Sequence, residues 1–210
     1  LLSSQLEEAL NSLIDGQVPK MWLQKSYPSL KPLSSYITDL LSRLEFFQTW
    51  LDTTIPEAFF IDKFYFTQGF LTGALQNYSR KYKIAIDTLD IDFEVVHDQE
   101  NAQPPEDGIH VVGMWIEGCK WNNQTRYLDE SDPKVLFTPC PMIWFKPTIK
   151  ENKITEGIYE APLYKTMERR GTLSTTGHST NFVLMVSIPS DLPESHWIKR
   201  GVALICALSD

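Results

Sequence analysis

Leu2, Leu6, Ala9, Leu10 and Leu13 recur at intervals of three and four residues, which lays one apolar stripe along a helix. Ser4 followed by Glu7 has capping-box spacing, and Asp15-Gly16 supplies the stop. A helix this short cannot bury its own stripe, so it is expected to dock on the rest of the molecule or on whatever preceded it in a longer chain. Met21-Trp22, Tyr27-Pro28 and Lys31-Pro32 then punctuate an irregular connector. Ser34 or Ser35 opens a second helix, with Ile37, Leu40, Leu41, Leu44, Phe47 and Leu51 on one face and Thr38, Asp39, Ser42 and Glu45 on the other. Pro56 ends or restarts that run. From roughly Glu57 to Tyr82, Phe60, Phe64, Leu71, Leu75 and Tyr78 again fall at helical intervals. Phe59, Tyr65, Phe66 and Phe70 widen the apolar face beyond what a surface helix carries, which predicts cover on most sides.

After Ile86-Asp87 the period shortens to two. Leu89, Ile91, Phe93 and Val95 alternate with Asp90, Asp92 and Glu94, the pattern of a strand with one face in a core and an acidic face in water. A polar loop with Pro104-Pro105 follows, and Asp107-Gly108 turns into a strand at Ile109 to Glu117 that is apolar on both parities. Met142 to Lys146, Tyr159 to Thr166, Phe182 to Ile188 and Trp197 to Leu208 are further strands, separated by Pro, Gly, Asn and Ser clusters. No helix of crossover length lies between them. The expectation is therefore an α+β fold: a helical subdomain over 1–88 packed against a mainly antiparallel β-barrel or sandwich over 89–210.

Composition narrows the functional classes. A chain of 210 residues that is 42% hydrophobic and 12% aromatic, with six tryptophans along its length, can build a full core without disulfides or metal. A net charge of -8 and the lack of an aromatic-interleaved basic stripe argue against a nucleic-acid partner. Cys119, Cys140 and Cys206 are odd in number and isolated, which fits a reducing compartment. No apolar run is long enough to span a membrane, and no signal-peptide pattern opens the sequence. The start without Met, directly in a helical pattern, reads as a piece cut from a longer chain.

Candidate chemistry is sparse. Gly171 to Ser179 gathers small residues and hydroxyls beside Arg169-Arg170, but lacks the Gly-x-x-x-x-Gly-Lys-Ser/Thr run and a following helix, so a β turn and strand entry is preferred to a phosphate site. His97, His110, His178 and His196 do not pair with one another or with cysteine at zinc-ligand spacing. Ser179 beside His178, and Cys119 beside Lys120, lack a nucleophile elbow and an orienting third group. Asp90, Asp92 and Glu94 share a strand face without the converging loop that calcium needs, leaving a solvated face or a patch for a basic partner. The run from Lys165 to Arg170 is the complementary positive feature, a surface turn or a salt-bridged contact. Asn77-Tyr78-Ser79 and Asn123-Gln124-Thr125 match the glycosylation acceptor pattern, which matters only after secretion. Neither a catalytic residue, a cofactor nor a metal ligand is assigned. The classes left open are an accessory module of a larger assembly, a free-standing peptide- or adaptor-binding domain, and a small hydrolase.

Several segments in order narrow this further. They are Trp22-Leu23 and Pro28-Ser29-Leu30-Lys31-Pro32-Leu33; Phe66-Thr67-Gln68-Gly69-Phe70-Leu71-Thr72-Gly73, running on into Gln76-Asn77-Tyr78-Ser79-Arg80-Lys81-Tyr82; Phe93-Glu94-Val95 and Asp107-Gly108; Tyr164-Lys165-Thr166; Arg169 through Val183; and His196-Trp197-Ile198-Lys199-Arg200-Gly201-Val202-Ala203-Leu204. Together they resemble the C-terminal region of axonemal dynein heavy chains, over most of the sequence. The resemblance implies a non-catalytic module that follows the last AAA+ unit of a microtubule motor, its helices leading into a β-barrel across one face of the ATPase ring. It also implies that the nucleotide sites and the microtubule-binding stalk lie outside this sequence. The implied role is to brace the AAA+ ring of the same heavy chain and to tune ATP-driven force, within the cytoplasm, cytoskeleton and ciliary axoneme, with no membrane partner. Phe59, Phe60, Phe64, Phe66 and Phe70, with the first helix, are expected to carry packing between modules. Arg169, Arg170, His178 and Asn181 are expected to fix the β part or its contact with the ring.

Overall fold

Ser3, not Ser4, caps the first helix. In the computed structural model, which describes residues 3–27, 29, 31–167 and 181–208, its Oγ accepts from the Leu6 amide at 3.4 Å. Helix α1 (Ser4–Ile14) ends as anticipated at Asp15, where Gly16 takes a φ of 68°. A short helix α2 (Lys20–Lys25) occurs inside the stretch read as irregular, started by Pro19 and closed by Ser26, whose hydroxyl donates to the Trp22 carbonyl at 2.8 Å. Helix α3 (Leu33–Asp52) starts directly after Pro32, ahead of the expected Ser34 or Ser35. Contacts divide the molecule into two units: one comprises the residues up to Ile55 with Lys63–Tyr65, the other Pro56–Asp62 with Phe66–Leu208.

Within the helical unit, α3 does not bury the face that its aliphatic residues mark out. Tyr36 and Arg43 are buried, and Phe46, Phe47 and Trp50 set their rings 5.8, 5.5 and 6.3 Å from Phe64. Ile37, Leu41, Leu44 and Leu51 remain 40%, 60%, 51% and 81% exposed. The rings cover more area each and gain from edge-to-face contact, so they take the inner side. Arg43 joins them through a polar cluster. Its Nε donates to Asp39 Oδ2 at 2.7 Å and its Nη1 to the Phe64 carbonyl at 3.0 Å, while the guanidinium lies 4.5 Å from the Tyr27 ring.

The expected helix from Glu57 is overturned in its first half. Phe59–Phe60 form strand β1 and Ile61–Lys63 a 3-10 turn, and helix α4 runs only over Thr67–Tyr82. The ring-rich segment is apolar on every side because it combines a strand with a turn, each with its own inward direction. Strand β2 (Leu89–Val95) has the bounds its alternation implied. The single strand expected at Ile109 to Glu117 is two, β3 (Ile109–Val112) and β4 (Trp115–Glu117), parted at Gly113 with φ of 79°. Strands β5 (Cys119–Asn122), β6 (Tyr127–Glu130) and β7 (Phe137–Pro139) were not foreseen. Strands β8 (Ile143–Ile149), β9 (Ile158–Thr166) and β10 (Phe182–Pro189) match expectation closely. Trp197 lies on helix α5 (Glu194–Arg200), so the last strand, β11, covers only Ala203–Ala207.

The strands order as β1-β3-β8-β2, β10-β9-β11-β4-β7 and β5-β6. Most pairs are antiparallel, but β1 with β3 and β11 with β9 are parallel, the second joined through β10 and α5. The architecture is α+β, helices followed by mixed sheets, and among the described residues the strand order closes no barrel. The sheet core centres on fully buried Val111, Ile116, Leu163, Val186, Trp197, Leu204 and Ile205.

Candidate functional site: fastened motifs and exposed apolar faces

Several of the segments that carry the resemblance fall where the sheet unit is fastened. At the start of α4, Gln68 Nε2 donates to the carbonyl of Phe182 at 3.1 Å, and Phe182 opens the edge strand β10. Gly69 lies under the Phe66 ring; a Cβ there would fall 2.4 Å from Phe66 Cδ1, so only glycine allows the ring to lie flat on the helix. At the other end of α4, Lys81 Nζ donates to Glu106 and Asp107, both at 2.9 Å, and Tyr82 donates to Asp107 at 2.7 Å. Asp107 itself turns its carbonyl to Trp144 Nε1 at 2.8 Å. Burial works to raise the Asp107 carboxyl, but hydrogen bonds from Lys81 and Tyr82 outweigh it and hold the group below the usual carboxylate range. Gly108 completes this clamp, since a Cβ would sit 2.2 Å from the Phe145 carbonyl oxygen.

Two further fasteners hold β9, β10 and α5. Buried Asn181 donates from Nδ2 to the carbonyl and hydroxyl oxygens of Thr166 at 3.2 and 3.1 Å, and its own carbonyl accepts from Lys165 at 2.8 Å. Trp197, fully buried, donates from Nε1 to Ser190 Oγ at 2.8 Å. On the outer side of α5, Arg200 and His196 reach Glu130 Oε1 at 2.5 and 2.9 Å, and Gly201 ends the helix with φ of 68°.

No catalytic arrangement emerges among the described residues. Cys119 is fully buried and its thiol is pushed up to about 12 by burial, reinforced by Glu130, so it carries almost no thiolate near neutrality. Burial likewise raises Cys140. His110 is buried on β3, its Nδ1 lacks a hydrogen-bond partner, and burial lowers its pKa. The acidic residues of β2 are engaged within the unit. Asp90 and Asp92 accept from the next amides, those of Ile91 and Phe93, at 2.8 and 3.0 Å; Lys153 lies 3.2 Å from Asp90 and Lys146 lies 3.7 Å from Glu94. An edge strand whose amides are already engaged offers less to an added strand. A groove of about 330 Å³ runs between α4, β2 and β10, walled mainly by Leu71, Leu75, Ile91, Phe93, Val183 and Met185. Among the described residues its only charged groups, Asp90 and Lys153, are the pair just described. No described helix is long and apolar enough to cross a membrane.

The interface candidates divide by exposure. Phe59 is buried with its ring 5.1 Å from that of half-buried Phe70, and Phe64 is buried in the helical unit. Phe60 and Phe66 face outward, 43% and 69% exposed, each over a glycine, Gly113 and Gly69. Asn181 is an internal fastener, while Arg169, Arg170 and His178 lie outside the described residues. The Tyr27-Asp39-Arg43 cluster escaped the sequence reading, although Asp39 and Arg43 stand at the i, i+4 spacing that marks a helical ion pair. Exposed Ile198 beside buried Trp197 was also missed, because that segment read as a strand.

In each unit, then, polar side chains fasten the interior while apolar side chains stay outside: outward rings on the sheet unit, bare aliphatic faces on α1 and α3 of the helical unit. Comparison with known proteins gives the family: the protein belongs to the C-terminal domain family of dynein heavy chains, whose model matches residues 1–206. It is 52% identical over 208 residues to dynein axonemal heavy chain 12 of Rattus norvegicus, covering 99% of this sequence and 7% of that one. Against dynein axonemal heavy chain 3 of Homo sapiens it is 52% identical over 211 residues, covering 100% of this sequence and 5% of the relative. Against dynein axonemal heavy chain 1 of Homo sapiens the identity is 50% over 210 residues, covering 99% and 5%. The sequence thus spans a small fraction of the length of these relatives.

Proposed function

We propose that this protein works without chemistry of its own, as the C-terminal brace of an axonemal dynein heavy chain that acts as an ATP-driven microtubule motor in the axoneme. Its partner on this reading is the AAA+ ring of the same heavy chain. The observation that carries the proposal is the contrast between polar groups fastened internally and apolar groups left outside: Leu41, Leu44, Leu51, Phe60, Phe66 and Ile198 are all well exposed. An apolar face such as that along α3 marks a surface that another surface covers. Phe60 and Phe66, with the α1 stripe of Leu6, Leu10 and Ile14, are the first contacts assigned to packing between modules. Arg169, Arg170 and His178 are assigned to contact at the ring on sequence grounds alone.

Such a brace acts by differential binding, since it biases a ring equilibrium only through the difference in its contacts between ring states. A tenfold bias needs about 1.4 kcal/mol. Burying one Phe ring adds about 1.5–3 kcal/mol, so Phe66 covered in one state and bare in another would supply it. An apolar groove without converging titratable groups does not favour a hydrolase, and the engaged Ile91 and Phe93 amides of edge strand β2 do not favour capture of an extended peptide there. The test is removal of the module from an intact motor. ATPase rate, force or run length should change while nucleotide binding persists, and adding the module back should restore mechanics; unchanged mechanics and ring stability would defeat the proposal.

A further inference from the structure

The side of α3 opposite its aromatic collar is itself a seam. Ile37, Leu41, Leu44 and Leu51 follow one another at four, three and seven residues, each at least 40% exposed, and the step between the last two is filled by Gln48, whose Nε2 donates to Asp52 Oδ2 at 2.8 Å. That is the spacing along which one helix receives another. The seam runs most of a 20-residue helix, a length of about 30 Å. Thr38, Glu45 and Asp52, seven residues apart, border one flank. The only basic residue of α3, Arg43, is buried on the far side with Asp39, so α3 itself gives the seam an acidic border and no basic one.

We infer that this seam seats an amphipathic helix from elsewhere in the same heavy chain, with aliphatic side chains in register with Leu41, Leu44 and Leu51 and Lys or Arg facing Glu45 and Asp52. The inference rests on the brace reading and names a surface and a partner for it. Helical spacing selects a helix over a strand, whose side chains repeat every two residues. Helix α1 is not the occupant, because its own Leu6, Leu10 and Ile14 are 51%, 46% and 73% exposed. A second copy is disfavoured because pairing α3 with itself would set an acidic border against an acidic border between molecules of net charge -8. The matched relatives extend far beyond this region, which covers only 5% to 7% of them, and so have ample length to supply the helix.

The experiment uses the full heavy chain with a photoreactive benzoylphenylalanine placed at Leu44 and, separately, at Leu41 and Leu51. All three positions are more than half exposed, so the helix tolerates the probe. Irradiation and peptide mapping should give an adduct on a helix of the same polypeptide that carries basic residues beside its apolar positions. Glu45→Lys with Asp52→Lys should lower the adduct yield about fivefold through loss of two surface ion pairs. No adduct at any position, an adduct on a second copy, an adduct on another polypeptide, or a yield indifferent to the charge reversal would overturn the inference. A motor that needs the module while α3 gives no adduct would remove this inference alone; a motor indifferent to loss of the module would remove the brace reading.

Discussion

In the sheet unit the polar groups left over at strand edges and helix ends are met by side chains of the same unit: Gln68 at Phe182, Asp90 and Asp92 along β2, and Lys81 and Tyr82 on Asp107. In the helical unit the polar cluster is equally complete, with Tyr27, Asp39 and Arg43 joined at 2.7 Å in each link, but the aliphatic half of α3 and the stripe of α1 stay bare. Hydrogen-bond satisfaction and apolar burial are therefore settled separately. The sheet unit leaves buried His110 Nδ1 unpartnered and scattered apolar side chains such as Phe60, Phe66 and Ile198 outside, whereas the helical unit leaves aliphatic stripes along α1 and α3 bare.

The greatest losses should come from the interiors of the two units. Trp197→Ala removes a fully buried ring and its bond to Ser190, and should cost about 3–5 kcal/mol in chemical unfolding of the protein. Arg43→Ala takes the guanidinium from the Asp39 carboxylate, leaving it the Tyr27 hydroxyl in a site where both side chains of the pair are about nine-tenths buried, and should cost about 3 kcal/mol. Leu51→Ala, at 81% exposure on the same helix as Arg43, should change stability by less than about 0.5 kcal/mol. A large loss at Leu51 would erase the contrast between the two faces of α3.

Titration probes the same two interiors with smaller effects. Burial works to raise Asp39, yet hydrogen bonds from Tyr27 and Arg43 outweigh it and hold the carboxyl below its usual range. Its folded value is lower than its unfolded one, so its contribution is whole above about pH 4 and is lost as pH falls through the folded value. Arg43→Ala should weaken that acid dependence. Burial lowers His110, so the unfolded state binds its proton more readily and stability falls as pH drops below about 6.5, at no more than about 1.4 kcal/mol per pH unit. His110→Leu should flatten the stability profile between about pH 5 and 7. The slightest effect is chemical. With its thiol up at about 12, Cys119 should resist alkylation at pH 8 in the folded protein and react on unfolding, as mass spectrometry of labelled peptides would record.

Where one physical rule governed a segment, the sequence was readable. Strict alternation placed β2 at Leu89–Val95, and Asp15-Gly16 ended α1. Where two rules competed, periodicity misled. Phe60 and Phe64 have helical spacing, but Phe59 and Phe60 pair with Val111 and Val112 and the backbone turns before α4. Gly113 was invisible as a break inside an apolar run, since a positive φ leaves no trace in hydrophobic pattern. On α3 the aliphatic stripe was legible, but not the side on which it would lie, because that depended on Phe64 and Tyr65 arriving from a later segment. The candidate surface was legible in part for the same reason: an aromatic run flags crowding, and only packing separates outward Phe60 and Phe66 from inward Phe59 and Phe64.

Hydroxyl-radical labelling of the isolated module, set beside the intact heavy chain, decides whether a neighbour covers the bare faces. Leu41, Leu44, Leu51, Phe60 and Phe66 should react readily in the isolated module and be shielded in the heavy chain, while buried Trp197 should be shielded in both. Equal reactivity of the five exposed residues in the two settings would mean that no neighbour covers them and that the module is not a brace.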